Sequence, residues 1–413
     1  MDEGDRTKGA STLWANRDYV LLWMGQSISS LGTGISQVAF PVLILILTNN
    51  PAIAGLMFSV GQLPYILFSL LAGALVDRWD RKRVMMVCTA GLAVCLASVA
   101  FIVFSGFSIP VQLTLFFVFS FIIGSLSVFY GLAEVAAITR VVSKSQLAQA
   151  LTQNEVVYST VSLIAPPIGT ILLSLSRLLP FVVDAISYGV LLISLFFIRT
   201  SFQEQRVKVK SNLLVEIREG LAWVRRLPVV LLLMVLAAYL EVIVSVNVLL
   251  VPVIVRNERF PLSIVGVILA AAGIGNLLGA TLNSALQRHV PLGRLLISTL
   301  FLFVVLWPLY GFVTNLWALG VVIAGLALID SVAYLQTASY RLALVPDRFQ
   351  GRVSSIARLI FFGFLTLGPT AVGVFLQRFG VMTTVIVLWA GFILCALLAL
   401  LNAQLRQATL PKE

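Results

Sequence analysis

Long apolar stretches follow one another along almost the whole chain, with short polar turns between them. A helix needs roughly 20 apolar residues to cross a hydrocarbon core of about 30 Å. About twelve stretches reach that length, over residues 19–47, 52–76, 84–105, 110–139, 150–175, 178–200, 229–256, 262–287, 293–313, 316–343, 350–377 and 381–403. With a mean hydropathy of +1.03 and 11% charged residues, the chain has too few polar side chains to cover a water-soluble globule. The expected fold is all-α and integral to a membrane.

The formal net charge of +11 does not imply nucleic acid, because the basic residues are distributed by loop. When the loops are assigned in turn to two sides, one side collects Arg6, Lys8, Arg17, Arg78, Arg81, Lys82, Arg83, Arg140, Lys144, Arg199, Arg206, Lys208, Lys210 and Arg218. The same side continues with Arg225, Arg226, Arg288, Arg294, Arg341, Arg348, Arg352, Arg406 and Lys412, whereas the other holds Arg177, Arg256, Arg259 and Arg378. The positive-inside rule makes the crowded side cytoplasmic and puts both termini there, in a multi-pass protein of the cell inner (plasma) membrane. Membrane lipids with anionic headgroups are the expected partners of the surplus charge. Residues 1–18 are polar and mixed in sign, so the first span is expected to insert as an uncleaved anchor. Cys88, Cys95 and Cys395 fall in apolar spans without paired or metal-ligand spacing, and read as small buried hydrophobes.

The chain also repeats itself at about half its length. Gly73-Ala74-Leu75 corresponds to Gly279-Ala280-Thr281, Phe40-Pro41-Val42 to Val251-Pro252-Val253, and Ala165-Pro166-Pro167-Ile168-Gly169 to Gly368-Pro369-Thr370-Ala371-Val372-Gly373 with one extra residue. Residues 201–228 begin polar and then place Leu213, Leu214, Ile217, Leu221 and Val224 at helical spacing opposite Glu216, Arg218, Glu219 and Arg225. The expectation is two pseudo-symmetric six-helix bundles, 1–200 and 229–413, joined by a cytoplasmic linker whose amphipathic helix lies on the inner leaflet. Glycines such as Gly55, Gly61, Gly169, Gly266, Gly273, Gly275, Gly279 and Gly373 are expected at close helix contacts.

Between Gly73 and Val84 the chain reads Gly-Ala-Leu-Val-Asp-Arg-Trp-Asp-Arg-Lys-Arg-Val. This run resembles the signature loop between the second and third helices of the major facilitator superfamily, roughly Gly-x-x-x-Asp-Arg-x-Gly-Arg-Arg/Lys. Gly73, Asp77, Arg78, Arg81 and Lys82 match it, while Asp80 stands where most members carry glycine. That departure is frequent in the bacterial exporters related to macrolide-efflux and enterobactin-export proteins. Segments Leu21–Gly32, Phe181–Tyr188, Glu219–Pro228 and Val345–Val353 resemble the same branch. The resemblance implies a conformational latch formed by Gly73, Asp77, Arg78, Arg81, Lys82 and Glu134. In it, Asp77 faces the start of the eleventh span in one state; the position of Glu134 near the inner end of the fourth span adds the expectation that Arg81 pairs with it. A carboxylate beside a helix N-terminus gains about 0.3–1 kcal/mol, a size that permits cycling. Many members of the branch carry an acid in the first span, where this chain has Gly32-Thr33-Gly34.

Ionisable groups within a bilayer cost about 2.5–3.5 kcal/mol each on insertion scales, so each one calls for a function. Glu241, Asp330 and Arg358 fall inside the seventh, tenth and eleventh spans, and are the candidates for proton coupling. Glu134 and Glu155 lie nearer the cytoplasmic ends and Asp184 toward the outer end of the sixth span. Asp330, Tyr334, Thr337 and Arg341 share a helix face and should line a cavity. A structural ion pair of Arg358 with Asp330 or Glu241 is the competing expectation. Gln26, Gln37, Tyr130, Tyr239, Asn247, Tyr334 and Gln336 are the candidate substrate contacts, a lining suited to bulky amphipathic molecules.

Nothing resembles a phosphate loop, a metal site or a nucleophile with its base, and the sole histidine, His289, lies at a loop. No cofactor and no metal are expected, and the protein is expected to act as a monomer. The leading function is secondary active transport: proton-coupled efflux of amphipathic small molecules of drug, macrolide or siderophore type, by alternating access at a midplane site. The alternatives are a lipid or lysolipid flippase and, from another class, a lipid-modifying membrane enzyme or a non-transporting receptor.

Overall fold

The computed structural model describes residues 13–76, 78–143, 145–202, 221–225, 227–258, 260–261, 263–313 and 315–407. Asp77 and residues 203–220, which carry the expected latch carboxylate and most of the expected linker helix, lie outside these.

Hydrocarbon leaves each backbone N–H and C=O to find its partner within the spanning segment or in a closed barrel. Here the answer is helix throughout. A 3-10 turn at Leu13–Ala15 precedes α1 (Arg17–Thr48), α2 (Pro51–Val76), α3 (Arg81–Phe104), α4 (Ile109–Val141), α5 (Leu147–Leu175) and α6 (Leu179–Phe197). Then come α7 (Pro228–Asn257), α8 (Ser263–His289), α9 (Leu292–Leu306), α10 (Leu309–Phe312), α11 (Leu316–Leu344), α12 (Asp347–Leu401) and α13 (Ala403–Arg406). Among the described residues, 11 helical stretches are long and apolar enough to cross a membrane, and the protein is a multi-pass membrane protein.

The expected ninth span breaks at Trp307-Pro308 into α9 and α10, because proline cannot continue the hydrogen-bond ladder. The expected eleventh and twelfth spans form one run of 55 helical residues, α12. Straight, such a helix would extend about 80 Å, well beyond the apolar core. It folds at Gly380, whose φ of 77° and ψ of −179° are open to glycine but not to residues with a Cβ. Past that point the Trp389 indole donates to Val304 O at 2.7 Å and Val385 O accepts from the Trp307 indole at 2.9 Å. These bonds bring the chain back along α9, against which α13 also packs. Residues 347–379 and 381–401 therefore act as two crossings.

Local chemistry sets the ends. Asn16 Oδ1 accepts from the backbone of Asp18 and Tyr19 to cap α1. Asn49, at φ 54°, closes α1, and Asn50 Oδ1 accepts from Ala52 N at 2.9 Å to open α2. Asp80 Oδ1 accepts from Arg83 N at 3.1 Å to cap α3, which gives the departure from glycine at this position a physical role.

Successive helices run in opposite directions. The ends of α2, α4, α6, α8 and α11 meet the starts of α1, α3, α5, α7, α9 and α12 on what we call the terminal face. The opposite, far face carries residues 49–50, 105–108, 176–178 and the bend at Gly380. On the terminal face the Asn16 amide donates to Val141 O at 2.7 Å, and Asp18 accepts from Thr200 N at 2.8 Å. Contacts are dense among α1–α6 (α1 on α6 and α5, α2 on α4, α3 on α4 and α6) and among α7–α12 (α8 on α11, α7 and α9 on α12). Between these sets the main contacts are α2 with α12 and α5 with α8.

Candidate functional site

The two main seams are built alike. On α2, Gly55 faces the Pro369 carbonyl of α12, while Gly373 of α12 faces the Pro51 carbonyl and would place a Cβ 3.0 Å from Ala52 Cα. On α8, Gly266 faces the Pro166 carbonyl and Thr170 of α5, and a Cβ on Gly273 would meet Leu163 Cα at 2.8 Å. In both seams a glycine lets a proline-bearing helix approach to backbone contact. The proline segments are the two that correspond in the sequence repeat. Ser59 and Thr370 hydroxyls bond at 2.6 Å, Thr170 Oγ1 donates to Ser263 O at 3.3 Å, and Arg256 bonds Asn49. All of these lie between the far face and mid-depth. Gly61 differs from the other expected contacts, since a Cβ there would have room. Nearer mid-depth, Tyr65 of α2 stacks on Phe362 of α12, centroids 4.5 Å apart.

Beyond that stack, toward the terminal face, the side chains open onto a crevice. Tyr158 of α5 is 73% exposed and Tyr334 of α11 49%, although both sit well inside apolar helices. Glu241, Asp330 and Glu155 each lie within electrostatic reach of Tyr158 and Tyr334, so α5, α7 and α11 bring three carboxylates and two phenols to one region. Beside it is a cavity of about 410 Å³, whose apolar wall is Leu233, Met234 and Ala237 of α7 with Phe361 and Phe362 of α12. Its polar wall is Tyr334, Thr337 and Arg341 of α11 with Ser354 and Arg358 of α12. The expected stripe thus does face a cavity from Tyr334 to Arg341. The competing expectation is corrected: among the described residues Arg358 pairs with neither Asp330 nor Glu241.

Three of the expected substrate contacts hold partners inside the protein. Tyr239 donates to Leu388 O at 2.6 Å and packs edge-on against Phe392, Asn247 Oδ1 accepts from Tyr310 at 2.6 Å, and Gln336 donates to Asn283 Oδ1 at 2.6 Å. All three are consumed inside the α7–α12 set, because a polar side chain finds a partner on a neighbouring helix as readily as in a cavity. Gln26 is buried, facing Tyr130 across α1 and α4, and Gln37 is exposed.

In the motif loop, Gly73 lies in the last turns of α2 and Arg78 is exposed. Lys82 Nζ donates to Ile198 O at 2.5 Å and Arg81 Nη1 to Phe202 O at 3.3 Å. Lys82 therefore ties the start of α3 to the carbonyl that ends α6, a favourable place for positive charge, and Arg81 ties it to the segment beyond. The expected pairing of Arg81 with Glu134 is not formed among the described residues.

One carboxylate acquires a setting that spacing alone did not reveal. Asp184 of α6 is 1% exposed and accepts from Ser36 Oγ at 2.5 Å and Ser187 Oγ at 3.2 Å. Tyr188 bonds Thr33 at 2.9 Å beside it. Gly32 leaves the space, since a Cβ there would fall 2.7 Å from Asp184 Oδ1. The Gly32-Thr33-Gly34 segment that lacks an acid of its own thus receives one from α6.

Comparison with known proteins decides the family: the profile described as transmembrane secretion effector, of the major facilitator type, matches residues 11–411. The chain belongs to the major facilitator superfamily. Macrolide efflux protein A of Streptococcus pyogenes is 25% identical over 380 residues, 89% of this chain and 91% of that one. The crystal structure of a bacterial homologue of the iron transporter ferroportin, in its inward-facing state, superposes with a TM-score of 0.76 at 13% identity, covering 94% of this chain and 99% of that one. The nucleoside transporter NupG superposes with a TM-score of 0.75 at 13% identity, covering 93% and 98%. The fold is that of the superfamily's transporters, and the protein is a secondary active transporter rather than an enzyme.

Proposed function

We propose that this transporter exports amphipathic small molecules in exchange for protons, by alternating access between an amino-terminal half (1–200) and a carboxy-terminal half (229–413) joined by residues 201–228. Both termini, and hence the terminal face, are cytoplasmic by the distribution of arginine and lysine. The captured state is then open to the cytoplasm.

The observation that carries this reading is the position of the polar crevice. The glycine-to-carbonyl contacts between the halves lie between the far face and mid-depth, and Asp330, Glu241 and Glu155 gather around Tyr158 and Tyr334 nearer the terminal face. The charge state of a carboxylate in such a crevice alters the cost of closing it, which would couple its proton to the face that is open. Kinship with a protein named for macrolide efflux supports export of amphipathic cargo. Gly73, Asp77, Arg78, Arg81, Lys82 and Glu134 remain the proposed latch on the cytoplasmic side, with the Arg81–Glu134 pair not made in this state.

The test is efflux of dyes and antibiotics from vesicles holding the full-length protein, with and without an imposed proton gradient. Gradient-stimulated efflux lost in Asp330→Asn and Glu241→Gln supports the reading; equal stimulation in both variants and the parent removes these residues from the mechanism.

A further inference from the structure

Resting on the transport reading above, the geometry points to an acidic cargo: we infer that the cavity between α7, α11 and α12 is an anion-recognition site. It would take a molecule with a carboxylate, phosphate or sulfonate group on an apolar body. Arg341 and Arg358 both line this cavity and lie within electrostatic reach of each other. Among the described residues neither guanidinium has an ion pair or a hydrogen bond, and no carboxylate lines the cavity. Arg341 sits in the last turn of α11, where the helix dipole favours a cation. Arg358 has no such support: it lies about three turns, or 16 Å, into α12.

Two like charges facing one apolar recess repel, and a structural ion pair does not account for them. An anion between them relieves that repulsion and offers the planar guanidinium its best partner. The rest of the wall fits the other end of such a molecule. Leu233, Met234, Phe361 and Phe362 are apolar, and the recess, at about 410 Å³, falls within the range of small-molecule sites. A neutral or cationic molecule of the same shape gains nothing from the arginine pair.

The site can be tested by equilibrium binding of naphthalene-2-carboxylate and its neutral amide to the full-length protein in phosphatidylcholine nanodiscs. The carboxylate should bind about tenfold more tightly than the amide, as a charge-assisted bidentate contact requires. Arg358→Gln and Arg341→Gln should each erase the preference, and Arg358→Lys should retain part of it. Because the preference is read on the parent protein, a variant that fails to fold does not block the test. Adding phosphatidylglycerol distinguishes sources: competition for the site identifies a lipid headgroup, and unchanged affinity identifies a free acid. Equal binding of acid and amide, no binding of the acid, or a preference surviving both glutamine substitutions overturns the inference. Anion preference without gradient-driven flux of any probe overturns the transport reading and leaves the site standing.

Discussion

Adding a single methyl group at Gly55 should open the far side of this transporter. A Cβ there would run into the Pro369 carbonyl oxygen and lie 2.9 Å from its carbon, with Thr370 Cα at 3.4 Å. Comfortable carbon contacts lie at about 3.5–4.0 Å, so α2 and α12 must part by roughly 0.5–1 Å, and neither obstacle is a side chain that can rotate away. Overpacking of this kind costs about 1–3 kcal/mol. On the proposed alternating-access cycle the opposite state lacks the contact, so the penalty falls on the far-closed state alone. At about 2 kcal/mol the ratio of the two states moves roughly 30-fold. The assay is the labelling rate of Ser59→Cys by a membrane-impermeant maleimide from the far side, after Cys88, Cys95 and Cys395 are replaced by serine. Ser59 is buried against Thr370 in the closed seam, so its rate reports opening. Gly55→Ala should raise that rate by at least tenfold, and Gly189→Ala, which has nothing within 4 Å, should not. A rate unchanged by Gly55→Ala, or raised equally by Gly189→Ala, refutes the argument that backbone contact at this seam holds the far side shut.

Asp330→Asn and Glu241→Gln should each remove the stimulation of efflux by a proton gradient while downhill exchange persists, as read by paired flux measurements in vesicles. Ser36→Ala should destabilise the protein by about 1–3 kcal/mol, since Asp184 then keeps a buried oxygen without its donor; the thermal midpoint in detergent measures it. Asp80→Ala should cost about 1 kcal/mol by uncapping α3 and Asp80→Asn much less, checked by the same midpoint.

The sequence made the crossings legible because apolar length is a local property, and α1–α8 begin and end within a few residues of the expected spans. It also marked the seams: the glycines expected at close approach include 55, 266, 273 and 373, where a Cβ has no room. The site was harder. Periodicity shows that Tyr334, Thr337 and Arg341 share a face, but not whether a polar residue on another face meets a cavity or a neighbouring helix. Gln336 turned out to meet Asn283, and Tyr239 the Leu388 carbonyl. Ser36, which donates to Asp184, and the facing apolar walls of Leu233 and Phe361 come from helices distant in sequence, so no spacing rule connects them. Arg81 misled for the same reason, since a backbone carbonyl at Phe202 leaves no trace in residue type.

The turn at Gly380 is made by one residue, so the last two crossings offer almost nothing to the medium on that side. An antibody, a protease or an inserted affinity tag would find no handle there. Even Gly380→Ala would force a β-carbon into a conformation it resists, so topology reporters belong at residues 105–108, where Gly106 turns in a wider connection.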